Sequence, residues 1–221
     1  MNHASRTLTA GLLLAFASAG APALAAHDGT HAAARQASAQ AVPAPKLQQA
    51  LRALWHGHVV HAREYAMAVH GKHAAAAAKA ADAVVANAKD IANAVAGFYG
   101  ADAGKGLLKL LAGHWGGVKA LTDATHSGNK SAADKAMRTL SANAGDIAVF
   151  LHGANPANWP EATLQGLLLQ HVADHQAQLG EIMRGDKAAE AKTWTMMQEH
   201  MNTIADALAN GIAAQFPQKA K

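Results

Sequence analysis

Polar residues return at a fixed interval along this chain, and the interval constrains the fold more than any other feature. Three series of positions each step by 56 and then by 57 residues: His58, His114 and His171; Asn87, Asn143 and His200; and Asp90, Asp146 and Thr203. The neighbouring letters repeat as well, since an Ile-Ala pair follows every member of the third series. A long internal period predicts three copies of one structural unit, each with polar residues at the same places.

Apolar residues within each repeat follow helical spacing. In the first repeat, Leu51, Leu54 and His58 lie three and four residues apart, on one face of a helix expected from Lys46 onward. Turns are predicted near residues 72, 128 and 185, where glycine interrupts the pattern. The sequence therefore predicts an all-α bundle of six helices paired in three tandem αα-hairpins. The hairpins are expected to cover residues 46–100, 104–153 and 160–217.

The first 25 residues are predicted to be a secretory signal peptide. Arg6 gives a positive start, the stretch 8–19 is apolar, and Ala23-Leu24-Ala25 fits the small residues that precede a cleavage site. Residues 26–45 are rich in Ala and Pro without hydrophobic periodicity, which is typical of a flexible arm. These features predict a periplasmic or secreted protein that does not span a membrane.

The composition excludes several kinds of chemistry. The chain has no cysteine, which rules out disulfides, thiolate metal sites, covalent haem attachment and cysteine nucleophiles. The formal net charge is +4 and the basic residues are scattered, so nucleic-acid binding is not expected. A GxSxG elbow, a Walker loop and the Glu-x-x-His pairs of di-iron bundles are all missing from the sequence, and this disfavours an enzyme.

Two sets of repeated positions lie at matching distances from the predicted turns. One set lies 14 residues before a turn: His58, His114 and His171. The other lies 15 residues after a turn: Asn87, Asn143 and His200. Because antiparallel helices rise equally per residue, equal offsets place the two sets at one height. They fall on apolar stripes, where a polar group must find a partner or cost about 1–3 kcal/mol.

Three interpretations of this polar layer remain open. In the first, it binds a transition metal such as Zn, Cu, Ni or Fe, because imidazole is a common ligand of these ions. The expected ligands are His58, His114, His171 and His200. The residues expected to orient them are Asn87, Asp90, Asn143 and Asp146. In the second, the layer only fixes helix register in a structural or partner-binding module. In the third, the core holds haem or another small ligand.

One further pair of histidines lies outside the repeat. His171 and His175 are four residues apart, which suits two metal ligands on one helix. A single His-x-x-x-His spacing is common by chance, so His175 is not assigned as a ligand.

Several short motifs resemble an uncharacterised family of bacterial all-helical proteins. They are Leu54-Trp55-His56-Gly57-His58-Val59, Asn143-Ala-Gly-Asp146-Ile-Ala, Ala154-Asn-Pro156 with Trp159-Pro160, and Gly211-Ile-Ala-Ala-Gln-Phe-Pro217. The resemblance covers residues 46–219. It implies histidines at the positions of His58, His114 and His171, Gln or another polar residue at that of His200, and no histidine at those of His61 and His175. Some members carry the labels glycosyltransferase or acetylglutamate kinase, but this sequence shows no nucleotide-binding machinery for either reaction.

Overall fold

A computed structural model describes residues 43–221, which form six helices. The helices are α1 (Pro45–His70), α2 (Ala74–Tyr99), α3 (Ala101–His126), α4 (Lys130–Ala154), α5 (Glu161–Arg184) and α6 (Lys187–Gln215). The predicted all-α bundle of six helices is confirmed. The predicted signal peptide and most of the predicted arm fall in residues 1–42, outside the described residues. Within residues 43–221, no helix combines the length and the apolar character needed to cross a membrane.

Local sequence explains where the helices begin and end. The side chains of Asn129 and Asp186 each accept the backbone N–H three residues on, at 3.0 Å, and so cap the starts of α4 and α6. Pro45 occupies the first turn of α1, where its missing N–H costs nothing, and the helix begins one residue before the expected Lys46. Gly185 ends α5 in the left-handed conformation, with φ of 70°.

The boundary between the first and second hairpins differs from expectation. The second hairpin was expected to begin at residue 104, but α3 begins at Ala101, and Gly100 alone separates it from α2, with φ of 91°. Gly97 lies inside α2 and Gly104 inside α3. A Cβ at Gly104 would lie 2.7 Å from the Cβ of Ala96, so this glycine allows α2 and α3 to pack closely instead of ending a helix.

The six helices pack in a closed order, with the first helix of each hairpin on the inside and the second on the outside. Consecutive helices pack against one another, and α1 packs against α6. The first helices of the three hairpins, α1, α3 and α5, also contact one another across the middle. Their core-facing stripes carry the repeated histidines. The three tandem hairpins therefore bring three equivalent positions to one central axis.

The loop between α4 and α5 anchors the last helix. Trp159 is 2% exposed, and its Nε1–H donates to the carbonyl oxygen of Ala207 in α6 at 3.1 Å. Asn155 is equally buried and donates from Nδ2 to the carbonyl oxygen of Gly211 at 2.8 Å. A Cβ at Gly211 would lie 2.0 Å from Nε1 of Trp159, so only glycine leaves room for the indole. These contacts hold α6 in the bundle.

Candidate metal centre

Four buried imidazoles meet where the three inner helices converge. His58 comes from α1, His114 from α3, and both His171 and His175 from α5. Each offers a ring nitrogen, and the four nitrogens lie within 4.8 Å of one another. The residues are 2–4% exposed. The structure thus brings together the three histidines of the first repeat series and adds a fourth from outside it.

The four rings surround a common centre. The six centroid separations run from 4.4 Å for His171 and His175 to 6.1 Å for the two pairs that join His175 to His58 and to His114. The other three pairs lie 5.6–5.9 Å apart. Four imidazoles bound tetrahedrally through nitrogens about 2.0–2.1 Å from an ion would have centroids about 5 Å apart. The packing of the four rings is therefore close to that of a tetrahedral four-imidazole site.

Half of the eight ring nitrogens of this cluster are buried without a partner. Nε2 of His114, both nitrogens of His171 and Nε2 of His175 find no hydrogen-bond partner within residues 43–221. A buried polar atom left unpaired costs about 1–3 kcal/mol. The cluster pays this cost four times within one small volume. A cation at the centre would satisfy such nitrogens, because a neutral imidazole offers a lone pair to a metal.

The tautomer of His114 follows from its hydrogen bond with Asn143. Nδ2 of Asn143 donates to the carbonyl oxygen of Leu110 at 3.1 Å, which identifies its Oδ1 as the free acceptor. This Oδ1 lies 3.2 Å from Nδ1 of His114. Nδ1 of His114 is therefore the N–H donor, and the lone pair sits on Nε2, the nitrogen without a partner. Asn143 thus orients His114 as a hydrogen-bonded neighbour orients a metal ligand.

The second repeat series holds each hairpin together. Its three members donate from a side-chain nitrogen to a backbone carbonyl oxygen 33 residues earlier. The donor and acceptor pairs are Asn87 with Leu54 at 2.9 Å, Asn143 with Leu110 at 3.1 Å, and His200 with Leu167 at 2.8 Å. Each acceptor lies one turn before the repeated histidine of the same hairpin. We refer to these three bonds as the hairpin clips.

His200, which was predicted to be a metal ligand, therefore lies outside the histidine cluster. It is half-buried, and its Nε2–H is used in the clip to Leu167. Asn87 also differs from its predicted role, since its Oδ1 is buried with no partner among the described residues and contacts no imidazole by hydrogen bond there. Of the two asparagines predicted to orient ligands, Asn143 makes that contact.

The predicted roles of Asp90 and Asp146 are also corrected. Both side chains are exposed, and neither bonds to an imidazole in the part of the chain that the structure describes. The buried residues Val84 and Ile91 mark the core-facing direction of α2, and Asp90 lies about 120° away from it around the helix. A step of three residues from Asn87, itself at the edge of the interface, turns the side chain toward solvent. Thr203 is exposed in the same way.

Burial keeps the clustered imidazoles neutral. Removal from water lowers the pKa of His58 to about 3, and the neighbouring His114 adds to this effect. Burial lowers the pKa of His114 to about 4, although the hydrogen bond that His114 donates to Asn143 opposes the shift. Desolvation first, and the other histidines second, hold the pKa values of His171 and His175 well below 6.5. Near neutral pH all four rings are therefore uncharged, which is the form that binds a metal.

His175 is the cluster member that the repeat could not reveal. The equivalent positions in the first two repeats hold Ala62 and Val118, which are buried like His175 but carry no ligand atom. The smaller side chains leave room near the axis for a third, larger one. The available signal was the four-residue spacing from His171 on a core-facing stripe.

A second polar group lies beside the cluster on the turn side. Gln178, one turn beyond His175 on α5, donates from Nε2 to Oε1 of Glu190 at 3.0 Å. Arg63 of α1 pairs with both oxygens of the same carboxylate, at 2.6 and 2.8 Å. This bidentate pair lowers the pKa of Glu190. It joins α1, α5 and α6 next to the histidines and fixes the position of α5.

Comparisons with known protein families, with curated proteins and with solved structures gave no match to this chain. The geometry of the histidine cluster is therefore the observation from which a function can be argued.

Proposed function

We propose that this protein binds one transition-metal ion through His58, His114, His171 and His175. One observation carries the proposal: four neutral, buried imidazoles direct ligand atoms to within 4.8 Å of one another, while ring nitrogens in the same group are left unpaired. A structural layer would be expected to pair those nitrogens, as the hairpin clips pair theirs. A metal ion would be the partner of one nitrogen on each ring, which accounts for three of the four unpaired nitrogens; the other is the second nitrogen of His171.

The arrangement of the four rings is closer to tetrahedral than to square-planar packing. A square-planar set would show two opposite pairs about 1.4 times longer than the other four pairs. No such division exists among the four rings, because the longest separation, 6.1 Å, occurs in two pairs that share His175. Four nitrogen ligands without thiolate in near-tetrahedral packing suit Zn²⁺ or its spectroscopic substitute Co²⁺ better than Cu²⁺.

The same packing disfavours haem. The cavity at the histidines measures about 10 Å³, which is about the volume that one water molecule needs. A porphyrin would have to separate rings whose centroids lie 4.4–6.1 Å apart in every pair. The core is too closely packed around the cluster for a macrocycle.

Metal-dependent stability tests the proposal. Protein stripped by a chelator should gain about 2.7 kcal/mol of unfolding free energy when free Zn²⁺ exceeds its dissociation constant a hundredfold. This gain should appear as a rise of the thermal midpoint. His171→Ala should abolish the rise. His56→Ala is the matched control, because His56 is an exposed histidine on α1 only two residues from a proposed ligand, and it should keep the full rise.

A purely structural layer makes the opposite prediction. Its histidine variants would lose stability, and neither they nor the native protein would respond to added metal. An unchanged midpoint of the native protein in the presence of Zn²⁺, Co²⁺, Cu²⁺, Ni²⁺ and Fe²⁺ would therefore reject metal binding and favour the structural module.

The proposal places the metal site outside the cytoplasm. The composition of residues 1–25 supports export. A chain without cysteine cannot use thiolate ligands, and imidazole is the commonest of the ligands that remain; the cluster supplies four. Fusion of residues 1–30 to a reporter that is active only in the periplasm tests the export, and an inactive fusion would contradict it.

A further inference from the structure

A small cavity lies on one side of the histidine cluster. It is lined by Trp55, His58, Leu111, His114, Ile147, Leu168 and His171. His175 does not line it. The cavity is therefore displaced from the middle of the cluster toward the face formed by the three repeated histidines, away from His175.

The indole of Trp55 contributes an unused donor to this region. Trp55 is 5% exposed, and its Nε1–H has no acceptor among the described residues. A buried indole N–H usually finds a partner. The Trp55 ring meets that of His58 edge to face, with centroids 6.1 Å apart. The donor thus belongs to a side chain that contacts a proposed ligand and lines the cavity.

Trp55 also lines a second cavity, but that cavity cannot hold an acceptor for its Nε1–H. It is lined by aliphatic side chains and by Trp159, whose own N–H already donates to Ala207. A buried water needs two to four polar partners, and that cavity would offer it only the Trp55 N–H. The cavity at the histidines offers ring nitrogens and, on the proposed function, a metal ion.

We propose that this cavity is a binding site for one water-sized ligand of the metal, held by the Trp55 N–H on the face opposite His175. The inference rests on the proposed function, because the ligand's second partner is the metal. The four histidines would hold the ion, and the small ligand would add a fifth position on the side lined by His58, His114 and His171. The cavity volume of about 10 Å³ limits the ligand to about the size of water or hydroxide. The apolar walls of Leu111, Ile147 and Leu168 keep bulk water away from it.

Cobalt substitution tests the site, because five-coordinate Co²⁺ absorbs visible light more weakly than tetrahedral Co²⁺. The native Co²⁺ protein should show the weak bands of five-coordination. Trp55→Phe should keep its cobalt but shift toward the intense four-coordinate spectrum. Trp115→Phe is the matched control, since Trp115 is a buried indole of α3 that does not line the cavity, and it should keep the native spectrum.

A second variant tests the site if Trp55→Phe does not fold. Leu111→Ala widens the cavity, and azide, which is larger than water, should then bind the cobalt about tenfold or more tightly than in the native protein. Intense tetrahedral bands in native protein that azide does not change, or azide binding equal in native and Leu111→Ala protein, would overturn the inference while leaving metal binding intact. A Trp55→Phe protein with the native spectrum would overturn the role of the indole. Native protein that takes up no cobalt would instead overturn the proposed function itself.

Discussion

His114 and Asn143 face each other across the second hairpin, with Nδ1 of the histidine 3.2 Å from Oδ1 of the asparagine. The asparagine amide is fixed by its own bond to Leu110, so the pair selects the tautomer that leaves Nε2 of His114 free. One asparagine therefore both clips the hairpin and fixes the tautomer of a proposed metal ligand. Asn87, its counterpart in the first hairpin, makes the clip to Leu54 alone.

This difference predicts that two equivalent asparagines have separable effects. Asn143→Ala and Asn87→Ala should each lower the unfolding free energy by about 1 kcal/mol, because each loses a clip. Asn143→Ala should also weaken Zn²⁺ binding by about 10–100-fold, since the neighbour that orients a ligand is lost. Calorimetric titration with Zn²⁺ and urea unfolding measure the two effects. Equal loss of zinc affinity in both variants would show that Asn143 acts only through stability.

The positions of His175 inside the cluster and His200 outside it differ from the sequence prediction, and substitution of each by glutamine tests both. Glutamine can replace an imidazole N–H as a donor but is a poor ligand for Zn²⁺. His200→Gln should keep the clip to Leu167 and leave zinc affinity unchanged, because His200 lies outside the cluster and its Nε2–H is used in the clip. His175→Gln should weaken zinc binding by about 100-fold or more, because a ligand is lost. The reverse pattern in a competition assay with a coloured chelator would assign His200 as the ligand.

The metal-free protein should lose stability in mild acid. The pKa values of the four clustered histidines are lowered by burial, to about 3 for His58 and about 4 for His114. In the unfolded chain a histidine titrates near pH 6.5. Between these values the unfolded state binds more protons, so this stabilisation is complete above about pH 6.5 and declines as the pH falls toward the folded pKa. Each histidine contributes a slope of about 1.4 kcal/mol per pH unit.

Urea unfolding in the presence of a chelator between pH 6.5 and 5 measures this slope while the carboxylates stay ionised. His114→Leu removes one of the four groups without leaving a polar atom in the core, so its slope should be shallower by about 1.4 kcal/mol per pH unit. A native slope no steeper than that of His114→Leu would mean that His114 is protonated in the folded protein.

Two glycine substitutions should change stability in opposite directions. Gly211→Ala places a methyl group 2.0 Å from Nε1 of Trp159, in contacts where the indole is fixed by its bond to Ala207. The resulting overpacking should cost about 1–3 kcal/mol. Gly116→Ala on α3 meets nothing within 4 Å, and it should stabilise the protein by about 0.5–1 kcal/mol through helix propensity. A urea midpoint of Gly211→Ala that does not fall would contradict the account of α6 anchoring.

Most of the fold could be predicted from the repeat, because the repeat relates positions that are far apart in the sequence. Equal distances from three turns placed His58, His114 and His171 at one height, and apolar spacing placed them on core-facing stripes. The expected bounds of the third hairpin, residues 160–217, agree with α5 and α6 to within two residues. The repeated pattern gave the same clip in all three hairpins.

Two parts of the site could not be predicted because they depend on rotation and on local volume. Height along a helix does not tell whether a side chain points to the axis or to the edge of an interface. For this reason the positions of Asp90 and His200 outside the cluster could not be predicted. The place of His175 in the cluster depends on the smaller side chains of Ala62 and Val118, which leave it room near the axis. A repeat cannot reveal a residue that occurs in only one copy.

Elemental analysis of untagged protein purified from its cells tests metal binding most directly. The account predicts about one transition-metal ion per chain in the native protein. It predicts none in a variant with His58, His114, His171 and His175 all replaced by Leu, whose helical circular dichroism should show that it folds. Folded native protein that contains no metal as isolated, and takes up none when incubated with Zn²⁺, Co²⁺, Cu²⁺, Ni²⁺ or Fe²⁺, would contradict it.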